Sequence, residues 1–131
     1  MLFITMCRYN GIPARWQTGW NLTPGGVNLH DWSEIYLEPY GWVPVDADMG
    51  VWSHKWAENL GDVKAQILKD FYFGNIDHWR LIANGDFGRD FTPKKISFRS
   101  DTVDFQRGEV ECDGQNLYYD KWDYNLKVDR L

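Results

Sequence analysis

The stretch from His30 to Asp46 constrains this chain more than any other. From His30 to Glu38 the residues alternate. His30, Trp32, Glu34 and Tyr36 take one side, and Asp31, Ser33, Ile35 and Leu37 take the other. A period of two marks a β-strand with unlike faces. Pro39-Tyr40-Gly41 is a turn, and Trp42 to Asp46 is a return strand whose Pro44 places it at an edge or a bulge. The two strands therefore pair as an antiparallel hairpin.

The hairpin bears on chemistry through His30. A neutral imidazole acts as a base only when a partner holds its tautomer. Asp31 is adjacent on the strand and points to the opposite face. Glu34 shares the face but lies about 13 Å away at 3.3 Å per residue. Asp46 sits on the return strand. If paired residues sum to 76, Asp46 is directly opposite His30. If they sum to 78, it is opposite Trp32 and diagonal to His30, still within reach. An odd sum separates the two.

Upstream, residues 1–10 read as a helix. Leu2, Phe3, Ile4, Met6 and Cys7 leave no polar face, so the helix is expected to be buried. Asn10-Gly11 ends it and Pro13 forbids continuation. No capping residue precedes the apolar run, so the pattern reads as a helix cut in its middle. Ala14 to Trp20 reads as a strand, and the segment Asn21–Asn28, with Pro24-Gly25-Gly26, as a loop. Downstream, residues 47–60 read as irregular with one helical turn, and Gly61 to Phe71 as a short helix. Trp79 to Ala83 reads as a strand before an Asn84-Gly85 turn. Residues 86–101 read as loop, Phe105 to Cys112 as a strand, and Asp113-Gly114 as a turn. Trp122 to Val128 is the cleanest amphipathic strand pattern, with Trp122, Tyr124, Leu126 and Val128 facing inward.

Three separated motifs agree in order and spacing: Gly11-Ile12-Pro13-Ala14-Arg15, His30-Asp31-Trp32-Ser33-Glu34 and Gly41-Trp42-Val43-Pro44-Val45-Asp46. Together they resemble the transglutaminase-like superfamily over residues 2–48. The stretches Phe71-Tyr72-Phe73-Gly74-Asn75 and Gln106-Arg107-Gly108-Glu109-Val110-Glu111 are similar, more weakly, to the C-terminal extension of some bacterial members. The resemblance implies an α+β fold: a papain-like core with an antiparallel sheet, core motifs in 1–50 and a β-rich extension in 51–131, forming one domain. It makes His30 the general base and Asp46 its orienting carboxylate. Arg8 and Arg15 become structural ion-pair partners, and Trp32, Glu34, Gly41 and Trp42 framework positions.

The family's nucleophilic Cys lies about three helical turns before the Arg matched by Arg8. Counted back, that position falls before Met1, and with the missing cap it makes the chain read as N-terminally truncated. Cys7 sits in the last helical turn, where the dipole disfavours a thiolate, so it reads as a core thiol. Cys112 reads as a bystander beside a turn. The implied activity is attack of a thiolate on a protein amide to give a thioester, resolved by an amine or by water. Transamidation, deamidation and proteolysis all stay open. A chain without that thiol is inactive on this reading. The alternatives are a peptide- or glycan-binding module on a degenerate core, and an architectural domain.

Composition removes other classes. Net charge is −5 with no Lys/Arg cluster, which argues against nucleic acid as a partner. No apolar run approaches the ~18 residues of a membrane span, and Met1–Met6 lacks the charged n-region of a signal peptide. Two cysteines are too few for a disulfide framework. His54 and His78 have no metal-ligand spacing, so neither metal nor cofactor is expected. A protein or peptide substrate is the expected partner; the compartment is left open.

Overall fold

A computed structural model describes residues 1–24, 26–85, 90–99 and 108–129, apart from the side chains of Trp56 and Leu60. The expectations for Gly25, for 86–89 and for 100–107, including Gln106-Arg107 and the start of the strand at Phe105, lie outside the described residues.

The chain opens with α1 (Leu2–Tyr9). Its C-terminus closes with Ile12 N–H bonded to Cys7 O (2.9 Å) and Gly11 N–H to Arg8 O (3.1 Å), with Gly11 at φ +74°. This paired closure needs a left-handed residue, which Gly11 supplies. Then come β1 (Ala14–Asn21), β2 (Asn28–Leu37) and β3 (Gly41–Val45). They form an antiparallel sheet in the order β3-β2-β1-β4, its last strand being β4 (Arg80–Asn84). Between β3 and β4 lie α2 (Ala47–Leu60) and α3 (Asp62–Phe71). A separate hairpin joins β5 (Val110–Cys112) to β6 (Gln115–Leu117).

One sheet face carries the core. Ala14, Ile35 and Val45 pack with Ile4 and Cys7 of α1, and Phe3, Trp16 and Val43 close around them. Burying a large apolar side chain is worth about 1.5–3 kcal/mol, so this cluster ties α1 to the sheet. The helix is buried on that stripe alone. Leu2, Met6 and Tyr9 face outward at 74, 57 and 90 % exposure, so the expected all-round burial of α1 is not observed.

Three other expectations need correction. Residues 47–60 form a full helix, because Asp46 caps it: its side chain accepts the Met49 N–H (3.0 Å), and Asp48 adds an acidic residue to the first turn. The segment after residue 50 is therefore helical before it is β, and its strand β4 belongs to the core sheet. Trp122–Val128 is not a strand and joins no sheet among the described residues, and of the residues expected to face inward Tyr124 and Val128 stay exposed. Its alternation instead serves ring packing: Tyr124 meets the buried Trp20 edge-on (5.4 Å), and Trp122 packs on Tyr119 (5.6 Å).

β1 and β4 approach unusually closely at Gly19. The register shifts between Thr18 and Gly19, and a Cβ on Gly19 would lie 1.8 Å from the Leu81 carbonyl oxygen. That obstacle is backbone and cannot swing aside, so only glycine fits there. Gly19→Ala is expected to destabilise the fold by about 3 kcal/mol or more through forced separation of β4. Urea denaturation with fluorescence from the tryptophans reads this directly; a loss under about 1 kcal/mol contradicts the packing.

Candidate functional site

The β2–β3 register places the site. Ser33 pairs with Val45, Glu34 with Pro44 and Tyr36 with Trp42, so paired numbers sum to 78. Continued by one residue, this puts Asp46 opposite Trp32 and diagonal to His30, on the face away from the α1 core. The side chains meet: His30 Nε2 lies 2.6 Å from Asp46 Oδ2. His30 is itself paired with Gly19 on β1, where the β4 backbone at Leu81 occupies the space a side chain would take.

Every polar atom of Asp46 is used, and the residue is 1 % exposed. Its N–H donates to Tyr72 O (2.9 Å) and its C=O accepts from Gly50 N (3.0 Å). Oδ1 accepts the Met49 N–H. Oδ2 receives both His30 Nε2 and Arg80 Nη2 (3.1 Å). Such saturation is what a buried carboxylate needs, since an unpaired one is heavily penalised. The carboxylate plane cannot turn without breaking a helix cap or an ion pair.

Arg80 continues the network. Asp77 Oδ2 accepts from Arg80 Nε (3.0 Å) and Nη2 (2.9 Å), and the Tyr72 hydroxyl donates to that same oxygen (3.1 Å). The other oxygen of Asp77 accepts the Trp79 N–H (2.9 Å), the local turn that starts β4. Burial pushes the Asp77 carboxyl up, but the hydrogen bonds from Arg80, Trp79 and Tyr72 outweigh it and leave the group below its ordinary value. Tyr72 moves the other way. Burial and the adjacent Asp77 charge raise it above 10.0, so the phenol stays a donor at neutral pH.

Aromatic rings wall the pair in. Trp32, 4 % exposed, stacks on His30 (6.3 Å between centroids, 28° between planes) and donates Nε1–H to Gln17 Oε1 (2.5 Å). The Arg80 guanidinium lies over the rings of Trp32 (5.6 Å) and Tyr72 (6.0 Å). Outside the wall, His30 lines an open cleft of ≈ 430 Å³ with Asn21, Thr23, Asn28, Asp48, Met49 and Trp52. A larger apolar hollow of ≈ 530 Å³ lies beyond Asp46, against Phe3, Val51, Tyr72 and Phe73. His30 is not among its walls.

The remaining named residues fall as follows. Glu34 pairs with Arg15 (2.6 Å), whose guanidinium lies over Trp42 (4.2 Å), so Arg15 is an ion-pair partner on the hairpin's outer face. Arg8 instead donates Nε–H to the Ala14 carbonyl (2.9 Å), tying α1 to β1 through backbone. Asp31 is held on the other face by the hydroxyl of the buried Thr18. Cys7 is in the α1 core and Cys112 is exposed on β5; neither lines the cleft at His30. Arg80, Asp77 and Tyr72 are not singled out by the sequence. Asp77-x-Trp79 is a readable turn signal and Arg80 a readable strand residue, but only the pairing of Asn21 with Arg80 carries them to the site.

Residues 1–47 match the transglutaminase-like superfamily, a segment of 47 among 131 residues that holds α1, β1–β3, His30 and Asp46. No curated protein and no solved structure matches the chain. No helix among the described residues is long and apolar enough to cross a membrane.

Two outcomes follow from this geometry. Iodoacetamide should alkylate Cys112 in the folded protein and reach Cys7 only on unfolding, with Cys7 labelling unchanged in His30→Ala. Fast labelling of Cys7 below pH 8 that slows in His30→Ala would make Cys7 the nucleophile. The second concerns acid. Asp77 titrates lower in the folded state than its ordinary value of 3.8, so its stabilisation is complete above that value and fades as pH falls through the folded one. Asp77→Asn should therefore be less stable at pH 7 and lose less stability below pH 3.8 than the parent, as read by denaturation at each pH.

Proposed function

We propose that His30 and Asp46 are the general base and orienting carboxylate of a transglutaminase-like thiol site on a papain-like core, acting on protein or peptide amides. The observation that carries this reading is the choice of ring nitrogen. Asp46 takes Nε2–H, which leaves the neutral imidazole's lone pair on Nδ1, and His30 lines the cleft. A base of this kind accepts the S–H proton as sulfur attacks the amide carbon. The proton then passes to the departing amine, and a thioester remains. Water resolves it to an acid, or an amine to a new amide. Asp46 stays ionised throughout and serves orientation and charge balance.

On this reading the thiol is neither Cys7 nor Cys112. Cys7 belongs to the core under α1, and Cys112 is far along the chain in the β5–β6 hairpin. The described walls of the cleft thus supply the base and its carboxylate for an amide substrate, and the attacking thiol comes from neither of these cysteines. The absence of a thiol among the cleft's described walls also favours a second reading, a peptide- or glycan-binding module using the same cleft with the half-open Trp52 at its edge. The two differ in the state of His30, since only a base requires one fixed tautomer.

Side-chain ¹⁵N NMR of His30 decides between them. The expected spectrum at pH 7.5 shows the Nε2–H tautomer with a slowly exchanging proton, and faster exchange in Asp46→Asn. An Nδ1–H tautomer, or an equal mixture, removes His30 as the base and leaves the binding module.

A further inference from the structure

The His30–Asp46 pair ends on a cation that lies outside the matched segment of residues 1–47. Arg80 opens β4, and its side chain is 3 % exposed. Its Nη2 bridges Asp46 Oδ2 and Asp77 Oδ2, and its Nη1 is buried without a partner among the described residues. The guanidinium is therefore shared between two carboxylates, only one of which touches His30.

The geometry points to Arg80 as a positioning residue for His30, acting through Asp46 and balanced by Asp77. Its first action is steric. With Oδ1 held by Met49 N–H and Oδ2 held by Arg80, the carboxylate presents one fixed edge to the imidazole. Its second action is electrostatic. A permanent cation on the oxygen that binds Nε2 opposes a second positive charge on the ring. Asp77 moderates this by drawing the same guanidinium toward itself through Nε and Nη2. Arg80 and Asp77 must then act on imidazole protonation with opposite signs. The lowered carboxyl of Asp77 agrees, since it keeps that counter-charge present wherever an imidazole titrates.

Other charges reach His30 from each packed element. Asp48 lines the same cleft from α2, and Lys55 of α2 sits over the Trp52 ring (3.9 Å). Asp31 of β2 lies on the opposite sheet face, held by Thr18 of β1. Tyr72, after α3, stays a neutral donor to Asp77. Of these, only Tyr72 touches Asp77, and as a neutral phenol it adds no charge beside His30 when 80 or 77 is changed.

The inference rests on His30 being the base, and its test needs no turnover. Diethyl pyrocarbonate modifies the neutral imidazole, so the pH profile of modification at His30, resolved by peptide mass from the exposed His54 and His78, reports protonation. Arg80→Met should move the His30 profile up by about one pH unit, by releasing Asp46 to the imidazolium alone. Asp77→Asn should move it down, and Arg80→Lys, which keeps charge but not the fork, should move it less than Arg80→Met. His54 and His78 should stay in place. If Arg80→Met does not fold, the nearly isosteric Asp77→Asn decides alone. No displacement in folded Asp77→Asn, or displacements of the same sign at both positions, overturns the role of Arg80. Failure of the base reading shows separately, as the wrong His30 tautomer in the unsubstituted protein.

Discussion

The structure around the cleft depends on one buried carboxylate. Asp46 ends β3, caps α2, accepts from His30 and neutralises part of Arg80, all within one residue. Each role alone is modest. A helix cap is worth about 0.5–2 kcal/mol, and a hydrogen bond to a charged group about 1.5–3 kcal/mol. Burying the charge without them would cost more than any one returns. The roles are therefore not independent additions. They are the conditions under which a carboxylate can exist at 1 % exposure, and the turn from strand to helix is built where they coincide.

The same accounting explains why Asp77 accompanies Arg80. A buried guanidinium shared by two carboxylates leaves the cluster with net charge −1 before His30 is counted. One tryptophan face, one tyrosine face and the Tyr72 hydroxyl supply further favourable partners for the charges. Removing one member of a buried pair costs about 3–5 kcal/mol, because the charge left behind is uncompensated. Replacing the whole network by apolar groups can be neutral. Stability alone therefore does not demand an arginine here; its Nη2 lies on the same Asp46 oxygen that meets His30.

Much of this was legible in the residues. The period of two from His30 to Glu38 is strong because one face packs on α1 and the other carries the site. That parity also left only an even register for a His30–Asp46 contact. The choice between 76 and 78 was open because it depends on loop geometry: Leu37 pairs with Gly41, leaving Glu38–Tyr40 as a three-residue loop with Gly41 at φ +80°. The helix α2 was hidden because Gly50, Ser53 and His54 dilute its apolar stripe, while its cap was already assigned a different role. Trp122–Val128 misled in the opposite sense. Its alternation is real in the sequence, but the rings of Trp122 and Tyr124 find each other and Trp20 without a neighbouring strand. Arg80 and Asp77 were beyond reach, since their relevance comes from a strand pairing across more than fifty residues, between Asn21 and Arg80.

That last pairing shows how the site is divided along the chain. The hairpin supplies His30 and Asp46, but within it the Asp46 carboxylate is held by the His30 contact at Oδ2 alone among the described residues. The opposing groups come from α2, whose Met49 N–H fixes Oδ1, and from β4, whose Arg80 fixes Oδ2. β4 reaches that position only because Gly19 lets the Leu81 carbonyl approach β1. A side chain at 19 would displace Arg80 before it touched His30, although His30 is the residue directly opposite it. The geometry of the pair is thus set by backbone spacing on the far side of the sheet. The chain after residue 47 belongs to the site in a physical sense, although the matched segment ends before it.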